Sequence, residues 1–168
     1  MKVILVSDSH GDRRCLDYLR ETYSDADAFV HCGDLQIPSE EAKDFICVRG
    51  NTDFDPDYPW GRVEDFDGCR VLIVHGHAYL SPFDRDDLTP LVTAAKRYEC
   101  SAVFYGHTHV SDDRTVEGVR VLNPGSIRRP KDFRFPHPTY MVLDISKDGI
   151  EAERIVYDPY AAEPKEQR

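Results

Sequence analysis

The stretch Lys2-Val-Ile-Leu-Val-Ser-Asp-Ser-His-Gly11 runs from a short apolar segment straight into a polar turn closed by glycine. A run of that length and composition reads as a buried first strand. The arrangement recurs at Ala28 to Val30, which ends in His31-Cys32-Gly33-Asp34, and at Phe45 to Val48, which closes in Arg49-Gly50-Asn51. Between the first two runs, Asp12 to Tyr23 carries Leu16, Leu19 and Tyr23 at helical spacing, with Asp12 as N-cap. The pattern strand, turn, helix, strand predicts a right-handed βαβ unit.

Further along, Arg62 to Phe66 and Cys69 to Val74 flank Asp67-Gly68, a dipeptide that signals a hairpin. A second helix is predicted over Asp86 to Tyr98, carrying Leu88, Leu91, Val92 and Ala95. Ala102 to Tyr105 is a short strand ending at Gly106. Val116 to Leu122, Thr139 to Ile145 and Ile150 to Tyr157 alternate as antiparallel strands do, with Lys147-Asp148-Gly149 as the last turn. From Asp158 the chain is polar and contains proline, as frayed tails do. With no repeat and no linker, the expectation is one α/β domain over residues 1–158 with its strands in two sheets, and a polar tail over 159–168.

The 168 residues suit one domain, and 40% hydrophobic against 31% charged is an ordinary globular balance. No apolar run is long enough to span a membrane, and the opening one is too short for a signal peptide, so a cytoplasmic location is expected. Five widely spaced cysteines without a C-x-x-C argue against a disulfide framework and a structural zinc site, and point to small core residues. A net charge of −10 argues against extended binding to nucleic acid, which needs a basic surface. The acidity fits either an ordinary cytosolic enzyme or adaptation to a salty cytoplasm.

Metal-binding residue types concentrate where the strands end. Of seven histidines, five lie in turns directly after expected strands: His10, His75, His77, His107 and His109. Asp8, Asp34 and Asn51 fall at the same kind of position, the carboxyl end of a strand, where α/β sheets build their sites. Asp8-x-His10 and His107-x-His109 set pairs at i and i+2, on one side of an extended chain. Gly11, Gly33, Gly50, Gly76 and Gly106 flank these candidates and permit sharp exits and close backbone approach. Imidazole, carboxylate and amide oxygen together suit Mn, Fe, Zn or Ni. Seven such ligands are too many for one catalytic ion and right for two that share a carboxylate. Paired ions about 3.5–4 Å apart clamp the attacking and leaving oxygens of a displacement at phosphorus.

The series Asp8-Ser-His10, Gly33-Asp34, Gly50-Asn51, His75-Gly-His77 and Gly106-His-Thr-His109 resembles the calcineurin-like metallophosphoesterase superfamily. Asn123-Pro-Gly-Ser126 narrows the likeness to its compact bacterial and archaeal phosphodiesterases. The match runs from Lys2 to about Arg129, in the family's order. The resemblance implies a four-layer α/β/β/α sandwich of two mixed sheets flanked by helices. It implies a first ion on Asp8, His10 and His109, a second on Asn51, His75 and His107, and Asp34 bridging both, with a bridging water or hydroxide as nucleophile. Manganese is the first expectation for the two divalent ions, with nickel, iron or zinc as alternatives. The expected reaction is hydrolysis of a small or accessible phosphate diester. A homo-oligomer is left open.

Blander readings stand beside these. Asp8 and Asp34 could be helix N-caps, and Asn51 could simply end a turn. His77 could touch substrate or act as an acid, or only support the ligands. Arg128 and Arg129 could bind a substrate phosphate or form a solvated basic pair. His31 reads as a satisfied core histidine and His137, between prolines, as a loop residue. Asp53-x-Asp55-x-Asp57 is rejected as a calcium loop, because it has no glycine at the sixth position and no acidic twelfth residue. The alternative functions are a binding scaffold, as in the retromer subunit of this fold, a phosphomonoesterase, or a nuclease. The chain departs from many relatives at Gly50-Asn51-Thr52, where they carry a histidine placed to protonate the leaving group.

Overall fold

The computed structural model describes residues 1–158 and Tyr160, so most of the expected tail lies outside the described residues. Its elements in chain order are β1 (Lys2–Val6), α1 (Arg13–Thr22), β2 (Ala28–His31), a 3₁₀ turn (Ser39–Ala42), β3 (Phe45–Cys47), β4 (Gly61–Phe66) and β5 (Cys69–Val74). They continue with α2 (Thr89–Arg97), β6 (Ala102–Phe104), β7 (Ser111–Val116), β8 (Val119–Pro124), β9 (Thr139–Ser146) and β10 (Gly149–Val156). Two mixed five-stranded sheets result, ordered β10-β9-β1-β2-β3 and β4-β5-β6-β8-β7. In the first, β1, β2 and β3 run parallel; in the second, β5, β6 and β8 do.

Alternation along each strand sorts the side chains into three apolar layers. Val3 and Leu5 of β1 meet Val71, Ile73, Phe104 and Leu122 between the sheets. Ile4 and Val6 turn the other way, onto Leu16 and Leu19 of α1. Leu72, Val74 and Val103 likewise pack outward against Leu91, Val92 and Ala95 of α2. Each such side chain, fully buried, stabilises the fold by about 1.5–3 kcal/mol before entropy is counted. The order helix, sheet, sheet, helix is the expected four-layer sandwich.

Local signals held where the chemistry was specific. Asp12 caps α1, its carboxylate accepting from Arg14 N at 3.1 Å. Asp67-Gly68 turns the β4–β5 hairpin with φ of 54° and 83°. His31 and all five cysteines are buried. Two expectations need correction. The single strand expected over Val116 to Leu122 is the corner of a β7–β8 hairpin, turned at Glu117-Gly118 with φ of 49° and 82°. Helix α2 starts at Thr89 rather than Asp86, because Pro90 has no N–H and fits only the first turn. Asp84 instead folds the preceding loop, accepting from Asp86 N and Asp87 N.

Candidate metal centre

The carboxyl ends of β1, β2, β3, β5 and β6 converge at one edge of the sandwich, so both sheets contribute. From the first sheet come Asp8, His10, Asp34 and Asn51; from the second, His75, His77, His107 and His109. The loops after β1 and β2 are tied together by Asp8 N to Gly33 O (3.1 Å) and His10 N to Asp34 O (3.0 Å). Across the sheets, His107 N donates to Asp8 Oδ2 at 3.0 Å and Gly106 N to His75 O at 2.9 Å.

The i, i+2 pairs meet for a reason other than the extended geometry expected of them. Asp8, His10, Asp34, His107 and His109 have φ of 55°, 45°, 57°, 67° and 59°, all left-handed. A chain in that conformation turns back on itself, so alternate side chains converge. Asp, Asn and His tolerate it better than most residues, yet each instance costs free energy that the surroundings must offset. Asp8 and Asp34 are not helix caps, since the cap of α1 is Asp12 and the 3₁₀ turn is preceded by Pro38.

Two groups of donor atoms result. Asp8, His10, Asp34 and His109 each offer one atom within 4.8 Å of the others. His10 Nε2 faces His109 Nε2 at 3.2 Å, and His109 Nε2 lies 3.1 Å from Asp8 Oδ1. Beside them, Asn51 Oδ1 sits 3.0 Å from His75 Nε2 and 3.1 Å from His107 Nδ1. Asp34 Oδ2 reaches toward both groups, 4.0 Å from His10 Nε2 and 3.4 Å from His75 Nε2.

The surroundings fit a cation. Asp8 Oδ1 is buried without a hydrogen-bond partner. The far nitrogens of two histidines are committed: His75 Nδ1 donates to Cys32 O at 2.7 Å and His109 Nδ1 to Arg129 O at 2.6 Å. A neutral ring so anchored turns the lone pair of Nε2 into the cluster. Burial raises the Asp8 carboxyl, but the adjacent His109 imidazole, the charge of His75 and the Ser7 hydrogen bond outweigh it and hold it below its ordinary value. Asp34 behaves alike, held low against burial by His75 and by Thr52. Burial lowers the pKa of His75, but the Asp34 hydrogen bond and the charges of Asp8 and Asp34 outweigh it and raise it, a pull toward positive charge that a bound cation would satisfy in the proton's place. Burial lowers His10, and lowers His107 to about 4. Such a neutral ring is ready to ligate near neutral pH.

His77 lies outside these hydrogen bonds, its ring centroid 5.4 Å from that of His75 and 6.1 Å from that of His107. Burial and the charge of His75 lower its pKa. Arg128 directs its guanidinium to Asp12 at 2.9 Å. Arg129 contributes its carbonyl to His109, and its positive charge helps lower the pKa of His10.

Several supports had no role assigned from the sequence, though Asn123 and Ser126 belong to the Asn123-Pro-Gly-Ser126 motif. Asp53, noted only as part of a rejected calcium loop, is buried and accepts three backbone N–H groups: Asp34 N and Gly50 N on Oδ2, both at 2.8 Å, and Gln36 N on Oδ1 at 2.7 Å. It thereby clamps the loop after β2 to the loop after β3. Its position two residues beyond Asn51 was the available signal. Asn123 and Ser126 serve the other side. Asn123 Nδ2 donates to Gly106 O at 2.9 Å, and Ser126 Oγ donates to Asp8 O at 2.8 Å. The glycines act chiefly by lacking a side chain. A Cβ on Gly50 would lie 2.0 Å from Asp34 Oδ1, and one on Gly106 would lie 2.0 Å from Ser7 Oγ.

A model of the calcineurin-like phosphoesterase superfamily domain matches residues 1–148. A probable metallophosphoesterase of Mycoplasma pneumoniae is 31% identical over 157 residues, which cover 89% of this chain and 92% of that one. Among solved structures, a protein of Streptococcus pneumoniae described as a predicted phosphoesterase shares 26% identity with a TM-score of 0.79, covering 93% of this chain and 97% of its own. An archaeal phosphodiesterase matches with a TM-score of 0.71 at 23% identity, over 94% of this chain and all 100% of that one, a likeness of fold. No helix among the described residues is long and apolar enough to cross a membrane.

Proposed function

Because the chain belongs to the calcineurin-like phosphoesterase superfamily, we propose that its strand-end cluster holds two divalent ions and hydrolyses phosphate diesters. The observation that carries this reading is the position of Asp34 Oδ2, within 4.0 Å of His10 Nε2 on one side and 3.4 Å of His75 Nε2 on the other. Asp8, His10 and His109 would hold one ion, Asn51, His75 and His107 the other, and Asp34 both. When bound, such a pair supplies Lewis acidity at the phosphoryl oxygens and an acidified water as nucleophile. Manganese is our first candidate, and the donor set also suits nickel, iron or zinc. Residues 1–158 would form the single catalytic domain.

The chain's own groups hold the geometry. Cys32 O and Arg129 O fix two imidazole tautomers, and Thr52 N steadies Asp34 Oδ1 at 3.0 Å. Thr52 stands where many relatives carry an acidic imidazole, and a hydroxyl cannot protonate a leaving alkoxide near neutral pH. General acid catalysis is worth about 10²–10⁴-fold, so its loss weighs most on esters with poor leaving groups. Diesters with activated leaving groups are therefore the favoured class, and His77 is the nearest substitute acid. A scaffold without turnover is disfavoured because all seven candidate positions retain residues able to coordinate.

The test uses metal-stripped protein reloaded with Mn, Ni, Zn, Fe or Mg and supplied with an aryl diester, the matching monoester and an alkyl diester. We expect metal-dependent turnover with the aryl diester preferred, near-complete loss in Asp34→Ala, and a larger loss for alkyl than aryl esters in His77→Ala. Full activity in Asp34→Ala would sink the shared-carboxylate assignment. A preference for the monoester would sink the diesterase reading.

A further inference from the structure

Trp60 is the chain's single tryptophan and is 61% exposed. It immediately precedes β4, whose Gly61 pairs with Val74 of β5. Continuing that antiparallel register by one residue sets Trp60 opposite His75. Its indole accordingly stands beside the candidate metal centre, 5.8 Å from the His77 ring and tilted 48° to it. His77 is in turn 5.4 Å from His75, so one ring separates Trp60 from the cluster.

The indole is also braced. The Arg49 guanidinium lies 4.6 Å from its centroid, a cation–π contact over one face. Arg49 is itself anchored, its N–H donating to Pro59 O at 2.7 Å and its Nε to Asp53 O at 3.4 Å. Asp53 is the same residue that clamps the loops bearing Asp34 and Asn51. The aromatic ring is therefore registered to the metal loops through the backbone, while most of its surface faces solvent. Beyond the Arg49 contact, an indole left mostly exposed adds little to the fold where it stands. Held rigid next to a phosphate-binding site, it has the form of a stacking platform.

We propose that Trp60, braced by Arg49 and set against His77, selects phosphate esters that carry a planar heteroaromatic group, a nucleobase being the natural example. The inference rests on the phosphoesterase reading above and names its substrate class. The phosphoryl group occupies the cluster, the sugar passes His77, and the base lies on the open face of the indole. Recognition by stacking is tolerant of base identity, because every base has a π-face. The acidic chain thus accepts a nucleotide as a small molecule without a surface for a long nucleic acid.

The lone tryptophan supplies a readout independent of turnover. On zinc-loaded protein, whose closed-shell ion adds no paramagnetic quenching, the probes are adenosine 5′-monophosphate and ribose 5-phosphate. We expect the first to quench tryptophan fluorescence saturably and to bind more tightly by calorimetry. Trp60→Ala should erase that affinity difference and Trp60→Phe should keep most of it. In turnover, Trp60→Ala should lower the kcat/KM ratio of a nucleoside diester to an alkyl diester by about 5- to 100-fold, mainly through KM. Equal affinity for the two probes, or an unchanged ratio in Trp60→Ala, overturns the platform. Base-dependent quenching in a protein that hydrolyses nothing would uphold the platform and overturn the hydrolase reading. Turnover without any aromatic preference would do the reverse.

Discussion

At the residue scale, the most telling groups are those whose partners leave one chemical state open. His31 is fully buried, and Gly33 N donates to its Nδ1 at 3.1 Å, so the proton sits on Nε2 and points to Ser9 Oγ at 3.0 Å. Burial lowers its pKa to about 3. The unfolded chain takes up that proton near pH 6.5 while the folded chain refuses it, so this contribution is complete above about pH 6.5 and is lost as pH falls toward 3. We expect unfolding free energy, measured with chelator, to decline with acidification by up to about 1.4 kcal/mol per pH unit from this group. His31→Asn should remove about one proton from that slope; an unchanged slope would mean that the burial is not felt. The candidate ligand side chains were legible in the sequence because five of the seven histidines, with Asp8 and Asp34, gather beside glycines at strand ends, whereas most of the aspartates do not. Their anchors on Cys32 O and Arg129 O were not, because every residue has a carbonyl and only the fold says which one is aimed.

Elements tell a similar story one level up. The parallel strands and α1 were readable because apolar runs, a cap and helical spacing agreed. The β7–β8 hairpin was not, since Glu117 occupies a left-handed corner where Asn or Asp would have announced it. The same limit hid how the loops touch: spacing shows that Gly50 precedes Asn51, but not that the loop after β2 lies against it. From that contact follows a prediction. Gly50→Ala would place a methyl carbon 2.0 Å from Asp34 Oδ1 and 2.3 Å from Asp34 N. Activity should fall about 100-fold, as for a displaced positioning group, and metal content should fall with it. Asp53→Asn, whose remaining oxygen can still accept from Asp34 N and Gly50 N while the bond from Gln36 N is lost, should lose less of both. Elemental analysis beside the rate decides it, and a fully loaded, active Gly50→Ala would refute the packing argument.

For the whole molecule, charge is the property left over once the fold and site are accounted for. Thirty-one acidic side chains face twenty-one basic ones. Arg20 with Asp44 and Lys2 with Asp25 are paired, but these are surface contacts of small individual worth. The unpaired excess repels itself, and added salt screens it. If the acidity reflects a salty interior, the unfolding temperature should climb as KCl rises from about 0.1 M, where the Debye length is about 10 Å, to about 1 M, where it is about 3 Å. A flat or falling curve would mark the protein as an ordinary acidic one.

Among the described residues, five of the nine non-glycine positions with left-handed φ are Asp8, His10, Asp34, His107 and His109. The folded state therefore bears a conformational handicap concentrated at the candidate metal centre, which would set stability against the proposed activity. Glycine at any of the five would relieve the backbone and remove a candidate ligand in one step. A lineage released from the need to turn over substrate could thus drift toward a sturdier protein by shedding these side chains, with both sheets and their shared core intact. Their joint retention here, at a standing cost to the fold, is what continued use of the site would require.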